Sequence, residues 1–402
     1  MNILLITSVY PSLDDKNENV TKVVRYFAQE WAKDGHTVKV VHNVHKYFTA
    51  IHALPKTIKQ KIAATTSFYI PDRDAVREKS FKDGDVQVWR MPVFKFKPHG
   101  GHPDSVIRKH TNKVISMLAE DGFVPDVIIG HWMSPQVQMI ARLKEVYHCR
   151  TALVLHGRGY VEDHKFNAKK YLTSVDALGC RSRAEAEYVK NALNLSKMPF
   201  ICYSGVPDAF VSEWAFDEEK FSVAPEKWRF VYAGRLVGYK NIDKVLQALA
   251  AIKDQDFVFD IIGSGAEEVQ LKVLAKKLGI ADKVVFHGRM PREEVLSYMR
   301  KAHAFVMVSK GEVFGLVYLE AMAASCIAVG SIEEGIDGVI VDGENGLLCT
   351  PADAVALEEK LRELMSLDAV ELRRYANAGF ETAKKFTDSN VAKWYLDDAV
   401  NY

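Results

Sequence analysis

Apolar residues recur along this chain in two alternating rhythms. Short runs rich in Val, Ile and Leu predict strands: ILLIT (3–7), HTVKVV (36–41), VQVWRMPVF (86–94), DVIIGHW (126–132), TALVLHG (151–157), VDALGCRS (175–182) and FICYSGV (200–206). Between most of them lie segments with apolar positions at helical spacing. The clearest, VTKVVRYFAQEWAK (20–33), stops before Gly35. Residues 207–228 interrupt the alternation with two prolines, acids and scattered aromatics, and read as a linker. A second set of strands follows: RFVYAGR (229–235), FVFDIIGSG (257–265), KVVFHGR (283–289), AFVMVS (304–309), CIAVGS (326–331) and GVIVDG (338–343). Strand and helix in alternation imply mostly parallel sheets with helices on both faces. The expected fold class is α/β, with two doubly wound Rossmann-like domains, 1–206 and 229–384, facing a central cleft. The final stretch, 367–399, is helical, and 385–402 can return to complete the first domain. Ligands of such sheets bind beyond the carboxyl ends of the strands, which makes the strand-end loops the place to look for chemistry.

Length and composition agree with this division. A chain of 402 residues exceeds the ~250–300 at which one core usually splits. Five cysteines, widely spaced and without a C-x-x-C pair, exclude a zinc ribbon and a disulfide framework and suit a reducing cytosol. The opening MNILLITSVYPS reads as a first strand, not a signal peptide, and no apolar run approaches the ~18 residues of a membrane span. A cytoplasmic protein, or one peripheral on the inner face of a membrane, is expected. The net charge of +1 conceals an asymmetry. Residues 1–205 carry 30 basic and 20 acidic residues, leaving 23 against 32 in the remainder. Much of the excess lies in 42–113, with 14 basic residues, 6 acidic ones and six histidines. That half suits an anionic partner, or else a plain solvated basic face.

Strand ends in the second half carry most of the candidate chemistry. YAGRLVGYKN sets Arg235 and Lys240 in a glycine-containing loop ahead of a helix, where two cations and free N–H groups suit a diphosphate. IIGSGAEE places Gly263 and Gly265 at the next turn. A dinucleotide-binding fingerprint would need a third glycine where Glu268 stands and an acid ending the next strand, which ends instead in His287-Gly288-Arg289. A dehydrogenase is therefore not expected. The fourth turn, SKGEVFGL, offers the N–H groups of Phe314, Gly315 and Leu316 at a helix start. Four successive turns suit a nucleotide. Within KGEVFGLVYLEAMA (310–323), Glu320 sits among apolar neighbours, with no Lys or Arg between Lys310 and Lys360. A buried carboxylate needs a partner, so Glu320 either faces water or is matched by a ligand such as ribose hydroxyls. Glu312 then stands ready for a second sugar. Two carboxylates this local do not make a glycosidase pair, which must flank one bond from opposed faces. Asp72-Arg73-Asp74 lies in a Pro-led turn and reads as solvated loop, not as a metal site.

Taken together, E-x7-E followed by A-M-A, G-R-L…K-N upstream and D-G-E-N-G-L-L downstream resemble the retaining glycosyltransferases of family 4, which have the GT-B fold. YPS, GHTVKVV, LHGRG and YSGVPDAF extend the similarity over nearly the whole chain. The resemblance implies metal-independent transfer of a hexosyl-type sugar from a nucleotide-diphosphate sugar, with no cofactor, to a glycan or lipid-linked acceptor. Bacterial surface polysaccharide or glycolipid synthesis is the implied setting. By position, Arg235 and Lys240 hold the diphosphate, Glu320 the ribose and Glu312 the transferred sugar. The Gly288-Arg289 turn meets the base, and His156 of HGRG approaches the sugar from the first domain. Three loops depart from the family pattern: NENVTK, within 14–22, lacks the usual glycines; Ser325 and Ile327 replace a glycine and a proline; and the acid of the 331–338 loop is shifted. A catalytically silent sugar-nucleotide-binding subunit, or an epimerase or phosphorylase of the same fold, are the alternatives. Residues 46–62 interleave aromatic and aliphatic residues with lysines and suit either an anionic membrane surface or an ordinary amphipathic helix pair. No nucleic-acid module occurs, so no nucleic acid partner is expected.

Overall fold

The computed structural model describes residues 1–11, 21–55, 57–59, 62, 70–71, 73–74, 76–96, 101–158, 168–213 and 215–402. The glycine-free loop at 14–20 and Asp72 of the D-x-D sequence lie outside them. The chain divides into two compact units. The first holds Met1–Arg181, Ala186–Cys202 and Ala392–Tyr402; the second holds Ser182–Glu185 and Tyr203–Val391.

The first unit is built on an eight-stranded sheet. Its strands are β1 (Asn2–Thr7), β2 (Thr37–Lys46), β3 (Lys79–Asp83), β4 (Val86–Phe94), β5 (Val127–His131), β6 (Arg150–Val154), β7 (Ala177–Cys180) and β8 (Phe200–Ile201), in the order β3-β4-β2-β1-β5-β6-β7-β8. All pair in parallel except β3 with β4. The antiparallel hairpin strand β3 has no apolar run of its own, and the sequence pattern gave no sign of it. β1 lies between β2 and β5, so the strand order reverses beside it. Register puts Thr7 opposite both His42 and His131 there. The helix Val23–Lys33 buries Val24, Phe27, Ala28 and Trp31, an i, i+3, i+4, i+7 stripe. Trp31 Nε1 donates to the Ala392 carbonyl at 2.8 Å, which ties the end of the last helix to this unit.

The second unit carries a six-stranded parallel sheet of β9 (Trp228–Ala233), β10 (Phe257–Ile262), β11 (Val284–Gly288), β12 (Ala304–Val306), β13 (Ile327–Ser331) and β14 (Leu347–Cys349), in the order β11-β10-β9-β12-β13-β14. Its reversal lies between β9 and β12. The expected strand at 338–343 is not formed: those residues make turns and isolated bridges, and β14 follows at Leu347. Acids and glycines fill 342–346, and Asn345 stitches the turn by accepting from the Val341 N–H (2.7 Å) while donating to the Val339 carbonyl (2.9 Å). The stretch 207–228, read from sequence as a linker, packs with this unit. Phe221 is fully buried in its core, and Lys220 Nζ donates to the Ala324 and Ser325 carbonyls at 2.8 and 2.9 Å. That ammonium thereby caps the helix carrying Glu320.

Candidate active site

In the second unit the reversal point of the sheet brings two loops together, one after β9 and one after β12. The β9 loop turns through the short 3-10 helix Gly238–Lys240 into the helix Ile242–Ala251. Asn241, at φ +53°, sends its amide to the Val308 carbonyl at 2.9 Å, and the Lys310 N–H donates to the Tyr239 carbonyl at 2.9 Å. These bonds cross from one side of the reversal to the other. They hold Lys240 against Glu312, and the two form an ion pair in which both side chains are largely buried. Lys240 also lies against the Met307 sulfur at 3.4 Å. Arg235 of the same loop is exposed, and its guanidinium donates to the Tyr239 hydroxyl at 3.1 Å. The two expected diphosphate cations therefore share one loop but differ in setting: Lys240 is paired, and Arg235 faces solvent.

Gly263 and Gly265 have a packing reason to be glycine. A Cβ on Gly263, at φ +137°, would lie 1.8 Å from the Gly234 oxygen; one on Gly265 would lie 2.1 Å from the Leu236 oxygen. The β9 and β10 loops thus touch backbone to backbone. Hydrogen bonds from Gly234 to Ile262 (2.9 Å) and from Leu236 to Ser264 (3.1 Å) confirm the contact. The next loop joins through Gly263 N–H to the Gly288 carbonyl at 2.8 Å. Gly288 has φ +73°, and Arg289 beyond it is exposed.

The loop after β12 is shaped by an acid that sequence reading treated as displaced. Glu334 Oε2 accepts from the N–H groups of Gly311 and Glu312 at 2.7 and 2.8 Å. Gly335 lets the two loops meet, since a Cβ there would lie 2.5 Å from the Phe314 backbone. Phe314 is buried, Gly315 takes φ +87° at the N-cap, and Leu316 begins the eight-residue helix Leu316–Ala323. One turn on, Glu320 is mostly buried, in keeping with its apolar surroundings. Its partner, however, belongs to the chain. Arg292, in the first turn of the helix Arg292–Lys301, bonds Oε1 of Glu320 and lies with its guanidinium 4.8 Å from the centre of the Phe210 ring. The expectation that either water or a ligand answers this carboxylate is therefore corrected. Burial pushes the Glu320 carboxyl above the usual range, and Arg292 pulls it back. Nothing in the local sequence reveals this partner, because it arrives from a helix 28 residues upstream.

In the first unit, His156 follows β6. Its Nε2 lies 2.9 Å from His131 Nδ1, and Trp132 stacks on its ring at 4.0 Å. Trp132 holds φ +65°, a strained setting for a bulky residue. His131 Nε2 is 3.0 Å from the Tyr395 hydroxyl. Burial drives both imidazoles far below the ordinary histidine range. Further along the strand ends, His42, His45 and His102 gather, with His45 and His102 rings 5.2 Å apart. One ring nitrogen of each is buried without a hydrogen-bond partner. The six histidines in 42–113 were visible in the sequence; the convergence of these three was not. Among the described residues, no group of three or more His, Cys, Asp or Glu is placed to hold a metal ion.

Residues 46–62 divide by burial. Tyr47 and His52 are buried, Lys59 is 9% exposed, and Lys56 and Lys61 lie outside the described residues. Phe48 is instead 54% exposed and packs with Phe94 and the equally exposed Phe96, ring centres 5.2 and 6.2 Å away. A face built on all the lysines of this stretch is therefore not what the chain presents: Lys59 points inward.

Comparison with known proteins bears on what such sites do. The family model described as Glycosyl transferases group 1 matches residues 215–381. An uncharacterized glycosyltransferase, MJ1178 of Methanocaldococcus jannaschii, is 30% identical over 271 residues, 65% of this chain and 71% of that protein. Sucrose-phosphate synthase from Thermosynechococcus elongatus superposes with a TM-score of 0.67 at 19% identity, covering 98% of this chain and 97% of that one. Anabaena Alr3699/HepE in complex with UDP superposes with a TM-score of 0.66 at 15% identity, covering 99% of each chain. With two Rossmann-like units of this topology and a relative this similar over most of its length, the chain has the GT-B fold and belongs to the glycosyl transferases group 1 family.

Proposed function

We propose that this protein is a retaining, metal-independent glycosyltransferase of family 4. It moves a hexosyl-type sugar from a nucleotide-diphosphate sugar to a glycan or lipid-linked acceptor, in the synthesis of surface polysaccharide or glycolipid. The observation that carries the reading is the buried Lys240–Glu312 pair at the reversal point of the second sheet. A carboxylate already desolvated beside an ammonium suits a polyol held next to a phosphate. When the donor binds, Lys240 turns part of its charge to the diphosphate, and Arg235 swings in from solvent to share it. Charge growing on the leaving phosphate then meets fixed cations, a term worth several kcal/mol away from water. Glu312, held by backbone bonds to Glu334, addresses the transferred sugar. Glu320 offers Oε2 to the ribose while Arg292 keeps Oε1. Phe48 and Phe96 suit the surface of an anionic membrane in which a lipid-linked acceptor resides.

A panel of nucleotide sugars tests this by thermal stabilisation. Uridine nucleotides come first, since the Anabaena neighbour is a complex with UDP. A ligand at 100 times its dissociation constant adds about 2.7 kcal/mol of stability. Lys240→Ala and Glu320→Ala should each weaken the best donor by about 1.5 kcal/mol or more, roughly tenfold, the scale of a lost charged hydrogen bond. Equal stabilisation of both variants and the parent would reject the assignment. Consumption of donor only when acceptor is present separates transfer from epimerisation and from mere binding.

A further inference from the structure

Tyr395, His131 and His156 form a hydrogen-bonded row whose direction the surroundings dictate. We propose that Tyr395, acting through His131, fixes the tautomer of His156, so that His156 meets its ligand as an N–H donor at Nδ1 and not as a base. The row runs from the Tyr395 hydroxyl to His131 Nε2 at 3.0 Å, and from His131 Nδ1 to His156 Nε2 at 2.9 Å. Tyr395 lies on the helix Asp388–Asn401, in the part that packs with the first unit.

Tyr395 carries one hydroxyl proton, and the ring nitrogen of His131 is its one hydrogen-bond partner among the described residues. Both side chains are essentially without solvent contact. Were His131 to donate from Nε2, the tyrosyl proton would be left buried with no acceptor, a cost of about 1–3 kcal/mol. Tyr395 therefore donates. His131 then accepts at Nε2, and its single proton sits on Nδ1. That proton points at His156 Nε2, which must accept, and the proton of His156 is left on Nδ1. Each imidazole has only one proton to place, because both rings are neutral. Burial and the nearby Arg181 guanidinium hold them so. Ring packing keeps the row in place: Phe27 stacks on His131 at 6.0 Å, and Trp132 on His156 at 4.0 Å.

Such a donor suits a hydroxyl or phosphoryl oxygen, and it cannot take a proton from an acceptor hydroxyl. Assigning that oxygen to the nucleotide sugar rests on the proposed glycosyl transfer; the tautomer itself does not. His131 and Tyr395 are positioning residues, acting only through His156.

The test is a long-range proton–nitrogen correlation on the full chain labelled with 15N-histidine, which distinguishes the two neutral tautomers directly. Signals are assigned by their loss in His156→Gln and His131→Gln, and independently by correlation from side chain to backbone. Both rings should read as the Nδ1–H form between pH 6 and 8. Tyr395→Phe removes the donor while keeping the ring, and should convert His156 to a mixture of tautomers. An Nε2–H pattern on His156 in the parent protein overturns the proposal, and so does a parent-like pattern in Tyr395→Phe. Should that variant fail to fold, the parent spectrum alone decides. Failure of the glycosyl-transfer reading would appear in the nucleotide panel and leave these spectra unchanged.

Discussion

Glu320 is the residue at which sequence and structure can be weighed most closely. Its burial was legible from a helix otherwise made of Leu, Val, Tyr, Ala and Met. That the carboxylate needs a counter-charge was equally plain. Which charge supplies it was not, because pairing across two helices depends on how they pack and not on local spacing. Breaking a buried ion pair by removing one member leaves an uncompensated charge and costs about 3–5 kcal/mol. Arg292 is itself 35% exposed, so solvent screens part of this, and Arg292→Ala should destabilise the protein by less, about 1–3 kcal/mol, in urea unfolding at pH 7. Combining it with Glu320→Gln should restore a large part of the loss, since no charge is then stranded. A loss below about 1 kcal/mol in the single variant would show that Glu320 finds its compensation elsewhere. His156 shows the same division. Its place at a strand end was readable, whereas the row through His131 to Tyr395 spans 264 positions and only folding assembles it.

Among elements, strand existence was read from sequence far more securely than strand ends. β4 matches its expected range, and most other strands fall inside theirs. The failures share a cause. β3 and β14 are short and lie toward sheet edges, where few apolar residues are needed, and 338–343 carries a strand-like VIV inside a turn. The histidines on β2, just ahead of the helix Asp104–Glu120 and on that helix supply an element-scale prediction. Burial lowers the pKa of His42 to about 4, of His45 and His102 to about 3, and of His110 to about 4, with Arg90, Lys95 and Lys113 adding repulsion. A folded pKa below the unfolded value of ~6.5 means that stability is full above pH 6.5. It falls as pH drops from there toward the folded values, because only the unfolded chain takes up protons. One pH unit below 6.5 costs about 1.4 kcal/mol per histidine, so four together approach roughly 5 kcal/mol. Urea midpoints should drop steeply between pH 7.5 and 5.5. His131, His156 and His303 are lowered as well, so His102→Gln should flatten the dependence by only about one seventh. A midpoint unchanged across that range would mean that these rings protonate freely in the native protein.

For the whole molecule, the charge asymmetry becomes informative once burial is known. The first 205 residues hold ten more basic than acidic residues, yet Lys59 and Lys95 are buried and contribute little to a surface. No helix among the described residues is long and apolar enough to cross a membrane. What the first unit presents instead is the Phe48, Phe94 and Phe96 cluster at the carboxyl ends of β2 and β4, beside the exposed Lys46. Exposed phenylalanines in contact are costly in water, at about 25 cal/mol per Å² of apolar surface, and that cost is recovered on entering the acyl boundary of a bilayer. A neighbouring lysine adds about 1 kcal/mol toward an anionic surface. Two half-exposed rings together are worth about 2–3 kcal/mol, so Phe48→Ser with Phe96→Ser should lower partitioning onto phosphatidylglycerol-containing vesicles by roughly 30- to 150-fold. Lys46→Ser should lower it only about fivefold, and half-molar salt should remove that smaller share while leaving most of the aromatic one. Co-sedimentation with anionic and with neutral vesicles measures both terms. Equal binding of the parent and the double phenylalanine variant would remove the membrane from the proposal while leaving the donor site in the second unit as it stands.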